Sequence, residues 1–277
     1  QMQAIFARRA RHSSVWRVPE VYRATPRVIE MEYVDGAVNI ARAVQHFRPA
    51  DPPAYRRDLA DKFLFTILCQ FFLYQELHGD LHPGNVMVDR AGRLHLIDWG
   101  NTVQLAGKVV PVLDYLKGAL VADADLLTDA LIAVSTEPQA ARSRRAEIRE
   151  TLARTLDKKR ITPLTLTFAW TLYREGPEGW LKRANTLLQL ASNTQQLGLV
   201  LRGEYLHLSR SLTAMVATLG GLYEGVPRWR AGADLLITVN TFPARALKDY
   251  LRGVRADRLR AAAEPAARAP TRSAVAG

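Results

Sequence analysis

A single cysteine among 277 residues excludes a disulfide framework. Zinc-finger spacing, an RNA-binding signature and an aromatic-interleaved basic stripe are also missing, so the net charge of +11 does not point to nucleic acid. Lysine is scarce and arginine abundant, spread among Ala, Leu and acidic neighbours, so composition bias accounts for the charge. No run of about 18 apolar residues occurs. The most apolar stretch, residues 63–74, is interrupted by Thr66 and Gln70 and falls short of the ~20 that a bilayer needs. Neither a signal peptide nor a repeat of fixed period is visible. These absences, with 48% hydrophobic residues, leave an α-rich soluble chain, expected in the cytoplasm.

Residues 77–100 read LHGDLHPGNVMVDRAGRLHLIDWG and carry the densest chemistry of the chain. Asp80 and Asn85 are five positions apart, and Asp98 closes the segment in an Asp-Trp-Gly turn. That spacing suits a site for phosphates and magnesium. Phosphoryl transfer asks a protein mainly to align an acceptor and to neutralise charge on phosphate oxygens. Magnesium is a hard cation that prefers oxygen ligands and keeps several waters, so Asn85 and Asp98 are the metal candidates. Asp80 is then expected to orient or deprotonate the acceptor hydroxyl or water. Val86-Met87-Val88 and Leu94-His95-Leu96-Ile97 read as two short strands, joined by the turn residues Asp89-Arg90-Ala91-Gly92. Such a hairpin brings Asn85 close to Asp98.

Two other readings of these residues were weighed. His78, Asp80 and His82 alternate as ligands do in metal-binding hydrolases, but a zinc site leaves Asn85 and the Asp98-Trp99-Gly100 turn without a purpose. A purely structural loop is a costly use of so many polar residues between apolar elements. His78 reads as a hydrogen-bonded scaffold residue, and His82 stays open.

Through these residues the segment resembles the UbiB/AarF-type atypical kinases, also called ADCK-type. Val18-Pro19-Glu20-Val21-Tyr22 and Arg27 to Gly36 are similar to that family's last N-lobe strands and hinge. Residues 78–85 resemble its catalytic loop, and residues 123–131 resemble its helix after the metal turn. The resemblance implies ATP and Mg²⁺ as cofactors and a role in ubiquinone or other prenyl-lipid biosynthesis. It also implies Met31 as gatekeeper, backbone groups of Glu32 and Val34 against adenine, and Met87 as the pocket floor. For Met31 and Met87 ordinary core packing is the plain alternative.

Three departures temper the match. The chain starts at Gln1, and the strand lysine, its glutamate partner, the phosphate-covering loop and a Lys-x-Gly-Gln segment are absent. The expectation is therefore an N-terminally truncated member of a longer protein, or a pseudokinase-like interaction module without turnover. Gly79 stands where protein kinases usually have Arg and His82 where they have Lys, which argues against protein substrates. Trp99 replaces the usual Phe of the metal turn, as in aminoglycoside and choline phosphotransferases, the runner-up family. The interval of 48 positions from Glu32 to Asp80 is short for that family and favours the UbiB-like reading.

The expected fold is mainly α (α+β): a protein-kinase-like C-lobe with an N-lobe remnant and a C-terminal helical extension. The expected divisions are 1–36, 37–135, 136–251 and an Ala/Arg/Pro-rich disordered tail at 252–277. Residues 57–77 read as one long helix, buried on nearly every face in its second half. Helix stops are expected at Pro138, Pro163, Pro177, Gly220-Gly221 and Pro243. Leu208, Leu212, Met215 and Leu219 recur at helical spacing and read as core, and the polar run at 193–196 as an interface. Nucleotide is the expected partner; lipid or quinone-pathway proteins, and peripheral membrane association through the basic tail, are secondary expectations.

Overall fold

A computed structural model describes residues 1–158, 174–176, 179, 182, 183, 186, 197–201 and 203–267. The expected stops at Pro163 and Pro177 and the polar run at 193–196 lie outside the described residues.

The chain opens with helix α1 (Met2–Ala10), then strands β1 (Trp16–Arg17), β2 (Val21–Ala24), β3 (Ile29–Met31) and β4 (Val38–Asn39). Helices α2 (Ala43–Phe47) and α3 (Pro52–Leu68) follow. Asp51 caps α3 by accepting the Ala54 N–H at 2.9 Å, with prolines in the first turn where no N–H is missed. Here the expectation of one long helix needs correction. After Leu68 the backbone widens into a π-helical turn (Cys69–Tyr74), and Gln75, at φ +52°, ends it ahead of strand β5 (Glu76–His78). The all-round burial expected for residues 63–74 is also incomplete. Phe63, Phe65, Cys69 and Phe71 are buried, whereas Phe72 and Leu73 are exposed.

Strands β6 (Val86–Val88) and β7 (Leu94–Leu96) form the expected antiparallel hairpin. They sit in a four-stranded sheet of order β1-β7-β6-β4, in which β1 runs parallel to β7. The β2–β3 hairpin stands apart from it, and β5 pairs with β8 (Thr102–Gln104). Helices α4 (Val109–Val121), α5 (Ala124–Val134), α6 (Pro138–Ser143), α7 (Arg145–Lys158), α8 (Gly203–Leu222) and α9 (Arg228–Ala267) complete the described chain. Asp123 caps α5, as its sequence suggests.

The packing redraws the expected divisions. Phe6, Ala10 and Trp16 share one core with Leu59, Leu96, Val103, Leu208, Met215 and Phe242, so the first residues and the extension close on the same centre. A second core, built from α4 to α7 with Leu197 and Leu199, crosses the expected boundary at 135/136. Two stop signals were overridden, because α8 runs through Gly220-Gly221 and α9 through Pro243. Paired carboxylates and guanidiniums fix α9 onto α3: Arg57 holds Asp234 in a two-pronged contact at 2.6 and 2.7 Å, and Arg245 holds Asp61 at 2.6 Å. The tail expected to be disordered from residue 252 instead continues α9 to Ala267, as the helix propensity of its Ala, Arg and Leu residues favours.

Candidate phosphate-transfer site

The loop between β5 and β6 and the turn between β7 and β8 are cross-linked through backbone. Gly79 donates its N–H to the Asn101 carbonyl at 2.7 Å, and Ile97 donates to the Asn85 carbonyl at 3.1 Å. Gly79 takes the place of a larger residue for a steric reason. A Cβ there would meet the backbone of Asn101 at 3.1 Å.

Asn85 ends a short 3₁₀ turn (Pro83–Asn85) that starts at His82. Its side chain is buried, at 6% exposure, and its Nδ2 donates to the Asp80 carbonyl at 2.9 Å. With the nitrogen so committed, Oδ1 is the atom left for a cation. Asp98 adopts φ +58°, a left-handed conformation that Asp tolerates better than most residues, and its Oδ1 accepts the Gly100 N–H at 3.3 Å. A Cβ on Gly100 would approach that oxygen to 3.2 Å. Through Asn85, the structure brings the Asp80 backbone and the residue preceding Asp98 to one junction. Asparagine and aspartate supply hard oxygen donors suited to magnesium, with phosphate and water completing its shell. Among the described residues there is no cluster of three His, Cys, Asp or Glu side chains able to hold a metal.

His78 is fully buried. Burial lowers its pKa and keeps the ring neutral, outweighing the opposite pull of its bond to the Ile97 carbonyl and of Asp98 and Asp80. Its Nε2 donates to the Ile97 carbonyl at 2.9 Å and its Nδ1 accepts the Asp80 N–H at 3.2 Å, the scaffold role read from the sequence. His82 turns its Nδ1 to the Gly84 N–H at 3.0 Å, with Nε2 3.9 Å from Asp80 Oδ2.

Trp99 is buried, donates Nε1–H to the Leu96 carbonyl and stacks on Phe6 of α1 at 3.9 Å between ring centroids. Gln3 of the same helix donates to the Pro19 carbonyl and to Met31 Sδ, each at 3.1 Å. Helix α1 thus touches both the Asp98-Trp99-Gly100 turn and strand β3 at Met31, a link that the motif spacing alone does not announce. The spacing of Met2, Phe6 and Ala10 was its signal. At the hinge, Glu32 spends its N–H on the Glu20 carbonyl at 2.8 Å, and the Val34 carbonyl accepts from Ala37. The Glu32 carbonyl and the Val34 N–H are the groups left for a base. Met31 is 41% exposed; Met87, half-buried, pairs across to Asn39 and His95.

Residues 1–136 match the family described as the ABC1 atypical kinase-like domain. Over these residues the chain is similar to ABC1 atypical kinase-like proteins. A curated relative, Protein ACTIVITY OF BC1 COMPLEX KINASE 1, chloroplastic, from Arabidopsis thaliana, is 32% identical over 98 residues. That match covers 32% of this chain and 13% of the relative, so the chain spans a small part of the protein it resembles. The ABC1 match covers the loop, the metal turn and α1, and ends two residues after α5.

Proposed function

We propose that the chain binds ATP with Mg²⁺ and supports phosphoryl transfer or ATP hydrolysis, as an atypical kinase acting in ubiquinone or other prenyl-lipid biosynthesis. The observation that carries this reading is the double engagement of Asn85, whose side chain holds the Asp80 carbonyl while its own carbonyl holds the Ile97 N–H. In this reading Asn85 and Asp98 hold the cation and Asp80 orients the acceptor hydroxyl or water. When bound, the cation would neutralise charge on the phosphate oxygens. The Glu32 carbonyl and the Val34 N–H would meet the adenine edge, beside Met31 and Met87.

The test is thermal stabilisation by nucleotide, which grows with ligand concentration over Kd. Mg-ATP is expected to raise Tm of the chain and not that of Asp98→Asn, whereas Asp80→Asn should keep the shift and lose turnover by about 10²-fold or more. No shift in any variant would leave only the pseudokinase-like interaction role.

A membrane-surface role has separate support. Trp229, Leu236, Leu247 and Leu251 are exposed along one face of α9, with Lys248, Arg252 and Arg255 exposed beside them. A groove of about 640 Å³ adjoins that face, lined by Trp16, Phe65, Leu73, Phe242 and Leu247 with Arg8. No described helix is long and apolar enough to cross a membrane, so the contact would be peripheral. This reading requires co-sedimentation with anionic vesicles and little with neutral ones, and equal or absent binding refutes it.

A further inference from the structure

His78 makes four hydrogen bonds from four different atoms. Besides the two ring contacts, its N–H donates to Gln70 Oε1 at 2.8 Å, and its carbonyl accepts from Ser211 Oγ at 2.7 Å. Gln70 and Ser211 are fully buried and come from elements far apart in the sequence. Gln70 sits in the π-helical turn, a distortion frequent at functional sites, and Ser211 lies in α8 between the core residues Leu208 and Met215.

We propose that Gln70 and Ser211 are positioning residues that fix residues 78–80 from behind, so that α8 belongs to the phosphate-transfer site although it lies outside the family match. The proposal rests on the role given to Asp80 above. Only an oxygen can accept the His78 N–H, so the orientation of the Gln70 amide follows from its partner. Its Nε2 is then buried with no hydrogen-bond partner among the described residues, a cost that an apolar residue would avoid. What the glutamine supplies in return is the oxygen that holds the start of the loop. Ser211 supplies the matching donor from 133 residues downstream. His78 passes both restraints on, through Nδ1 to the Asp80 N–H and through Nε2 to the turn that carries Asp98.

Hydrogen exchange on the whole chain tests this without requiring turnover. Ser211→Ala, and separately Gln70→Met, should speed exchange of the Gly79, Asp80 and Asn85 amides by about tenfold, the factor a lost hydrogen bond is worth, and leave α5 and α7 unchanged. Mg-ATP turnover should fall by a similar factor with the KM for Mg-ATP unaltered, and Ser211→Thr, which keeps the hydroxyl, should recover both. Wild-type exchange in the loop of either variant overturns the proposal. So does faster exchange spread evenly over α5 and α7, the mark of general loosening. If the parent chain turns over no ATP, the nucleotide reading fails by itself and the exchange pattern still decides this one.

Discussion

At the loop end, Gly79 is tied to Asn101 and Asn85 to Ile97, backbone to backbone, His78 is bonded through four atoms, and Leu94 and Leu96 of β7 are fully buried. At the hinge end, the β2–β3 hairpin is joined to α1 through Gln3, its own two ends are tied together by the Glu20–Glu32 contacts, and it leaves Ile29 57% and Tyr33 84% exposed. Both ends begin with the same secondary structure, a short antiparallel hairpin. They differ in what covers it. Each face of the β6–β7 hairpin meets a neighbour, whereas β2–β3 has no residue buried. The cross-links at the loop end follow from burial, which makes each unpaired polar group expensive. The hinge end carries no such penalty, since water can satisfy its backbone.

The largest expected effect that would break this comparison is a difference in stability. Leu96→Ala removes a fully buried side chain from the sheet and should cost about 2–5 kcal/mol, while Ile29→Ala in the hinge hairpin should stay within about 0.5 kcal/mol. Urea midpoints at unchanged m-value read both. Equal costs would mean that the hinge hairpin is packed in solution against something that buries it as fully as the core buries Leu96.

The same contrast marks what was legible in the sequence. The hairpin could be read because its signals lie within residues 77–100: the turn residues 89–92 set it, and it brings Asn85 to Ile97, the residue before Asp98. Gln70 was visible only as an interruption of an apolar run, since its partner at His78 depends on a π-helical turn that no local pattern announces. Ser211 gave no signal at all, because a serine between leucines reads as a tolerated polar residue until α8 is docked. Pro243 and Gly220-Gly221 misled for the opposite reason. They are strong local breakers, but the burial of Phe242, Met215 and Leu222 and the Asp61–Arg245 pair hold both helices through them. The tail was read from composition as disordered, although Ala and Arg are good helix formers and α9 was already nucleated upstream.

A smaller effect sharpens the comparison through pH. Asp89 stands at the turn of the β6–β7 hairpin, where its Oδ1 accepts the Arg93 N–H at 2.9 Å and its Oδ2 lies 3.0 Å from His95 Nε2. Burial pushes its pKa up, but the His95 and Arg93 hydrogen bonds more than offset that and hold the carboxyl below its ordinary value. The folded state therefore binds this proton less readily than the unfolded chain. The contribution to stability is present above the ordinary carboxylate value of about 4 and is lost as pH falls through the lower, folded value. Thr25 does the corresponding work in the β2–β3 turn, its hydroxyl oxygen accepting the Val28 N–H at 3.0 Å, and it has no charge to titrate. Asp89→Asn keeps the acceptor for Arg93 and removes the charge. Its urea midpoint should fall below that of the parent at pH 7, and the two curves should converge as pH falls through the lowered folded value, where the parent carboxyl takes up its proton. A gap of constant size over the whole acid range in which the fold survives would show that the charge of Asp89 contributes nothing and that the hairpin joining Asn85 to Ile97 is held by burial alone.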